Sequence, residues 1–359
     1  MTKRQIMYLG CVALLVASGV GAAAPTQASP AHAHGASAYD VRPGESIQAA
    51  VDAAAPGAVV DIAPGTYYGS VTVTKPGLVL RGAGPRTVIE PGAVAGRGAC
   101  AKAGNGICVT GTDAKHVGNV RIESLTVRAF KKNGIWASRT DRLRVLDVTS
   151  ERNGNWGIAQ ERSTSGEFRG NTAWGNAESG IFLSNTTDTE AGAQDTRGAL
   201  VTGNRLEGNR IGVTIRRLRN LVVEYNAIRG NCAGVFVVGD EGVPRTGALS
   251  VRRNQVGQNN KFCPKTARLP QIQGAGIVLT GVEKTVIERN VVWGHSGTSP
   301  FAGGIVLFKS IVGSPNTRNV IRHNALVLNS SPDLANRDTG EGNAFGGNFC
   351  SVSEPAGMC

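Results

Sequence analysis

From about residue 100 onward, apolar and polar positions alternate in short bursts, and each burst opens on a glycine. The openings are Gly106, Gly134, Gly157, Gly180, Gly212, Gly234, Gly276 and Gly304, each followed by Ile or Val. One residue after each come Ile135, Ile158, Ile181, Val213, Val235, Ile277 and Ile305, a file that must share one face. Three after come Ala137, Gln160, Leu183, Ile215, Val237, Leu279 and Leu307 on that same face, Gln160 being the polar exception. A period of two predicts one strand per burst. The nearest glycines stand 22 or 23 residues apart. At about 3.3 Å per residue that length holds three short strands with their turns. It is too short for a strand plus helical crossover, which takes roughly 30 residues or more.

A second pattern has the same period. Asn171, Asn204, Asn226, Asn254, Asn290 and Asn324 each lie five residues before Asn176, Asn209, Asn231, Asn259, His295 and Asn329. A fixed internal offset recurring down a chain marks a repeat protein whose units stack. The paired asparagines suit turns, where a side-chain amide can bond backbone or the equivalent amide one coil away. His295, in an asparagine slot, reads as a turn residue. Stacked identical files suit a parallel sheet wound into a tube.

Before the coils, Tyr39–Val41, Ala58–Ile62, Val71–Val73 and Leu78–Leu80 read as strands. Ser46–Ala54 reads as a helix with Ile47, Ala50, Val51 and Ala54 on one face, stopped by Pro56-Gly57. Such a helix would lid the first coil, whose core is otherwise open. The longer intervals, 186–198, 239–247, 261–273, 295–302 and 310–319, must leave the coils at turns and wall one or two sides of the tube.

The opening VRPGESIQAAVDAAAPGAVVDIAPGTYYGSVTV, the N-x4-N turns and the glycine-isoleucine strands resemble the right-handed parallel β-helix repeat proteins of the pectate-lyase-like superfamily, of the exported bacterial type. The resemblance spans about residues 39–349. It implies an all-β, right-handed parallel β-helix with an N-terminal helical cap and a disulfide-closed C-terminal tail at 350–359. It does not single out an activity, because the fold hosts lyases, hydrolases, epimerases, adhesins and binding proteins. The polygalacturonase set, the wiDH and RxPxxR motifs of pectate lyases and the YG-x-DPHD motif of alginate epimerases are absent.

The first residues change the setting. Lys3 and Arg4, an apolar run and then small residues read as a secretory leader, with residues 1–38 comprising leader and linker and cleavage expected between Ala24 and Ala38. No later stretch is long enough to span a membrane. A secreted, extracellular monomer is expected. Beyond Cys11 in the leader there are six cysteines, an even count that points to disulfides in an exported chain. Sequence alone permits 15 pairings of six cysteines. Position favours Cys100 with Cys108, Cys232 with Cys263, and Cys350 with Cys359. Without Lys3 and Arg4 the formal charge falls from +12 to +10. That surface favours polyanions such as uronate polysaccharides, teichoic acids or nucleic acid, among which charge does not choose. With the resemblance above, the partner expected is an anionic polysaccharide and not nucleic acid.

Candidate chemistry lies on the outward positions. Two, four and five residues after the glycines stand aromatics (Trp136, Phe182, Phe236) beside Ser138, Arg139, Glu161, Arg162, Asn185, Arg216 and Arg217, with Asp188 and Asp240-Glu241 at strand ends. Rings stack on sugars, and guanidinium groups pair with carboxylates in bidentate fashion. We therefore expect Trp136, Arg139, Phe182, Asn185, Asp188, Phe236 and Asp240 to bind substrate. By resemblance to the lyases, Arg216 or Arg217 would be the base, Arg162 would hold the substrate carboxylate, and Glu161 would share the catalytic set. In those relatives calcium or basic side chains neutralise the uronate. A calcium requirement is left open, and no metal ligands stand out. A hydrolase would need two carboxylates at defined separation, with Glu161, Asp188, Asp240 and Glu241 as candidates. The alternative to an enzyme is a polysaccharide-binding or cell-surface structural protein on the same frame.

Overall fold

The computed structural model describes residues 38–93, 96–267 and 269–359. The expected leader and all of the linker except Ala38 lie outside the described residues. Among those described, three parallel sheets run the length of the chain, with 12, 10 and 11 strands. We call them sheets 1, 2 and 3 in the order in which each coil visits them. One coil shows the rule: Glu167–Arg169 in sheet 1, Thr172–Trp174 in sheet 2, Ser179–Ser184 in sheet 3.

Period-two alternation puts Phe168, Ala173, Ile181 and Leu183 of that coil inside, all buried. In sheet 3 the stacking is in register, Ile135 on Ile158, Ile181, Val213, Val235, Ile277, Ile305 and Leu334. Burying each such side chain contributes about 1.5–3 kcal/mol. The result is one continuous apolar core along the axis. Gln160, set apart from the inward file as its polar exception, is buried with that file, because its amide finds a partner by donating to Thr140 Oγ1 at 3.0 Å.

The offset of five between asparagines now has a cause. Each ladder residue follows a residue in the left-handed region, as in Gly170-Asn171, Gly175-Asn176, Tyr225-Asn226 and Gly230-Asn231. That conformation turns the chain sharply. A three-residue strand of sheet 2 lies between the two corners. Where the next rung is an asparagine, N–H and Nδ2–H both donate to its Oδ1, as Asn209 does to Asn231 at 2.9 and 3.2 Å. The same Nδ2 also donates to a backbone carbonyl one coil back, Ala173 O at 2.9 Å. The ladder extends beyond the six pairs, to Asn153 at one end and Asn348 at the other.

The cap is a helix over Ile47–Ala53, with Ser46 as N-cap accepting from Ala49 N–H and Ile47 and Val51 buried. Expected strands form at Ala38–Val41, Val59–Ile62, Val71–Val73 and Val79–Gly82. Gly65–Tyr68 is a further strand, in sheet 2, with Tyr67 turned inward and donating its hydroxyl to Ala63 O at 2.8 Å. The disulfides join Cys100 to Cys108, Cys232 to Cys263 and Cys350 to Cys359. Inside the last loop, Ser353–Glu354 adds a final strand to sheet 3 against Leu334–Arg337.

Candidate functional site

All five insertions flank sheet 3. Those at 186–198, 239–247 and 310–319 follow its strands, and 261–273 and 295–302 precede them. The first is shorter than expected, because Gln194–Thr202 already pairs as a strand of sheet 1. They wall a cleft of about 770 Å³ across the sheet's outer face. Its lining includes Trp156, Glu178, Phe182, Thr214, Arg216 and Asp188.

The walls change the character of the face beneath them. Positions two after the glycine point outward as expected, yet Ala159, Phe182, Thr214, Phe236, Val278 and Val306 are buried. Over Phe236, Val278 and Val306 the loops fold back and form a second apolar cluster with Phe301 and Ile272. Phe236, expected as a sugar platform, is only 1% exposed and packs edge-on against Phe301 at 5.1 Å. It is a packing residue at the cleft floor. Phe182 lines the cleft beneath Trp156, with centroids 3.9 Å apart and planes 6° apart, and Trp136 stacks on Trp156 at 5.9 Å. Trp136 and Trp156 are half-buried, which makes them the accessible part of this stack. Trp156 was missed in the sequence because it precedes its glycine and so belongs to no strand file. Its only signal was a tryptophan in a corner, NGNWG.

Positions four after the glycine align Ser138, Glu161, Ser184, Arg216 and Val238 on successive rungs. Glu161 and Arg216 thus flank buried Ser184, about 10 Å apart at Cα by strand spacing. Glu161 is half-buried and accepts a hydrogen bond from Thr187 Oγ1 at 3.2 Å. Burial pushes its carboxyl above the ordinary value, and the charge of Asp188 adds to the rise, against the hydroxyl of Thr187 and the guanidinium groups of Arg162 and Arg139. Asp188 is exposed on the wall loop. At the opposite end of the strand, Glu178 is raised by burial against the opposing charge of Arg210, whose Nε lies 3.7 Å away.

Positions five after the glycine do not form a row of outward guanidinium groups. Arg139, Arg162 and Arg217 occupy left-handed corners, which aims them along the turn instead. Arg217 is 2% exposed, with Nε donating to Asp240 Oδ2 at 2.5 Å, Nη1 to Thr189 O at 2.5 Å, and Nη2 to the Glu190 carboxylate. The hydrogen bonds and charges of both carboxylates outweigh desolvation and hold its pKa above the ordinary value. A guanidinium so placed cannot serve as a base. Arg217 is instead a staple between loops 186–198 and 239–247. Asp240, expected to meet substrate, is buried on that staple and accepts from Gly242 N–H at 3.0 Å. Asn185 likewise turns into its loop, donating to Gly192 O at 2.8 Å. Arg139 is paired with Asp113 through Nε at 2.5 Å and Nη2 at 3.2 Å. Neither Arg162 nor the adjacent Glu161 lines the cleft; Glu161 borders it through Thr187, which does. Among the described residues no three His, Cys, Asp or Glu side chains gather as a metal site would require.

Comparison with known proteins bears on this architecture. The model of the right-handed β-helix region matches residues 99–256. The chain is a right-handed parallel β-helix. The β-helix superposes on the A-module of the Azotobacter vinelandii mannuronan C-5 epimerase AlgE6 with a TM-score of 0.61 and 19% identity, covering 86% of this chain and 90% of that one. It superposes on an alginate lyase from Paenibacillus sp. str. FPU-7 with a TM-score of 0.57 and 14% identity, covering 88% and 99%. DFA-IIIase from Arthrobacter chlorophenolicus A6, in complex with GF2, aligns at 0.61 and 15%, covering 89% and 87%. At these identities the likeness is one of fold. No curated protein sequence matches the β-helix.

Proposed function

We propose that the β-helix is a secreted protein acting on an acidic, uronate-containing polysaccharide in the sheet 3 cleft, by proton abstraction at C5. The observation that carries this reading is the pairing of Glu161 and Arg216 on one outward file, with Ser184 between them. An anionic sugar seated there would meet Arg216 through its carboxylate and Glu161 near its C5 hydrogen. Two of the superposed folds, the mannuronan C-5 epimerase and the alginate lyase, act on such glycans by name.

The roles differ from those expected of the sequence. Arg216 neutralises the substrate carboxylate, because a guanidinium stays protonated and offers a fork of donors. Glu161 is the base, since burial has made its carboxylate a stronger proton acceptor than an exposed one. Removing the C5 proton leaves its electron pair delocalised into the carboxyl group beside Arg216. Collapse breaks the C4–O4 bond and forms the C4–C5 double bond of a lyase product, the departing oxygen taking up a proton from the now protonated Glu161 or from water. Return of a proton to the opposite face gives the epimer.

The test follows the shared step. Polygalacturonate and alginate are incubated with the protein in D2O, with and without calcium. Deuterium at C5 is read by NMR, and unsaturated uronate by its ultraviolet absorbance. Glu161→Gln should abolish exchange while leaving binding intact, and Arg216→Gln should weaken both. The acid limb of the rate profile should lie above the ordinary glutamate range, because Glu161 must be ionised to act. Absence of exchange in the wild type on both polymers would overturn the catalytic reading. The stack of Trp136, Trp156 and Phe182 would then favour the second one, a glycan-binding β-helix without turnover.

A further inference from the structure

Away from the cleft, the corner between sheets 1 and 2 carries a line of exposed side chains on four successive coils: Tyr225, Arg253, Arg289 and His323. Their alignment follows from the strands they end, where Glu224, Arg252, Glu288 and Arg322 are in register. All four corner residues adopt the same left-handed conformation, φ between 53° and 56°. Each is held by the buried asparagine that follows it, as Asn254 N–H and Nδ2–H donate to Asn290 Oδ1 at 3.0 Å. The line is therefore rigid at the backbone and spans about 14 Å, one group per rung.

The adjacent file resolves its charges internally. Arg252 pairs with Glu224 at 2.8 Å and Arg322 with Glu288 at 2.9 Å, so cation and anion alternate up the sheet. The corner file does not. Arg253 donates to Tyr225 Oη at 2.6 Å and lies over its ring at 5.6 Å. Among the described residues neither Arg253 nor Arg289 has a carboxylate within ion-pair distance. Like charges on facing rungs repel. On the sheet 2 side the neighbours are Ala227, Gln255, Val291 and Ala325, which bring no counter-charge.

We propose that this corner is a binding line for an extended polyuronate chain lying parallel to the axis, separate from the cleft. Its carboxylates would do for Arg253 and Arg289 what Glu224 and Glu288 do for the neighbouring file, while Tyr225 and His323 offer faces for sugar rings. Such a line tethers the polymer while the cleft works on it or holds it.

The test measures affinity of the full chain for immobilised polygalacturonate, neutral dextran and inorganic polyphosphate over a series of salt concentrations. The Arg253→Gln, Arg289→Gln double variant should bind polygalacturonate about tenfold more weakly at low salt, with a shallower salt dependence. An Arg121→Gln, Arg144→Gln double variant removes the same charge elsewhere on sheet 1 and should bind within about twofold of wild type. Arg216→Gln, which acts at the cleft alone, should lower affinity by a step that adds to the loss from the corner pair, so that failure at the cleft and failure at the corner are told apart. Equal loss in both double variants, or none in the first, overturns the proposal. So does dextran or polyphosphate binding as tightly as polygalacturonate. Unchanged melting of the variants confirms that they fold.

Discussion

His295 is the one member of the second asparagine ladder that can titrate, and it lies fully inside the turn. Its Nδ1–H donates to Asn329 Oδ1 at 3.0 Å, and Nε2 accepts from Asn259 Nδ2–H at 3.1 Å. Both ring nitrogens are therefore committed in the neutral form. Burial lowers its pKa from 6.5 to about 4, against the hydrogen bond to Asn329. Between those values the unfolded chain holds a proton that the native protein refuses, so stability must fall as pH falls. From pH 7.5 to pH 5 the loss from this one residue amounts to about 2 kcal/mol. His295→Asn restores the residue found on the neighbouring rungs and has no proton to gain. Elsewhere each asparagine gives both its N–H and its Nδ2–H to the next Oδ1, whereas the His295 ring takes only the Nδ2–H of Asn259. The variant should match the wild type at pH 7.5 within about 1 kcal/mol. At pH 5 it should be the more stable by about 2 kcal/mol. Urea unfolding followed by circular dichroism at the two pH values measures both differences. Parallel losses in wild type and variant would show that His295 is not protonated on unfolding in this range, and would refute the reasoning.

Three further outcomes follow from the same geometry. Asn209→Ala strips the shared acceptor from Asn176 N–H and Nδ2–H and the donor from Ala173 O, all buried, and should cost about 3–5 kcal/mol in urea unfolding. Arg217→Met leaves Asp240 buried without its counter-charge and should take about 3 kcal/mol from the local stability of the staple. Limited proteolysis should then cut loops 186–198 and 239–247 well before the coils. Trp156→Ala removes the central ring of the stack and should weaken glycan binding by about 1.5 kcal/mol, roughly tenfold, in a titration that leaves melting nearly unchanged.

The coil could be read directly from the residues because it obeys two local rules. Strand parity told Ile181 and Leu183 from Phe182 without reference to anything distant. The step from Asn171 to Asn176 is one short strand and its corner. The cleft was less legible. Parity says that Phe236 points away from the tube, but not that residues 261–273 and 295–302 fold back over it. Counting five places from Gly212 finds Arg217, but its left-handed φ of 53° turns the guanidinium toward Glu190 and Asp240 rather than along the file. Glu161 and Arg216 were legible as neighbours because register is a property of the repeat. The roles of Arg217, Asp240 and Asn185 depend on loops that have no period.

The ladder of amides also gives the molecule a direction. Every amide-to-amide bond of the ladder runs from a donor to the Oδ1 one coil nearer the C-terminal end, from Asn171 through Asn204 and Asn226 to Asn348, while the second Nδ2 hydrogen goes back to a backbone carbonyl. A coil carrying N-x4-N therefore presents the same plug and socket wherever it stands. Duplicating or deleting one whole coil, such as the 22 residues from Asn204 to Tyr225, rejoins donor to acceptor on both ladders. Inserting half a coil leaves a buried amide facing nothing. Length in this lineage can thus change in whole turns at little cost, while the order of ends cannot be reversed.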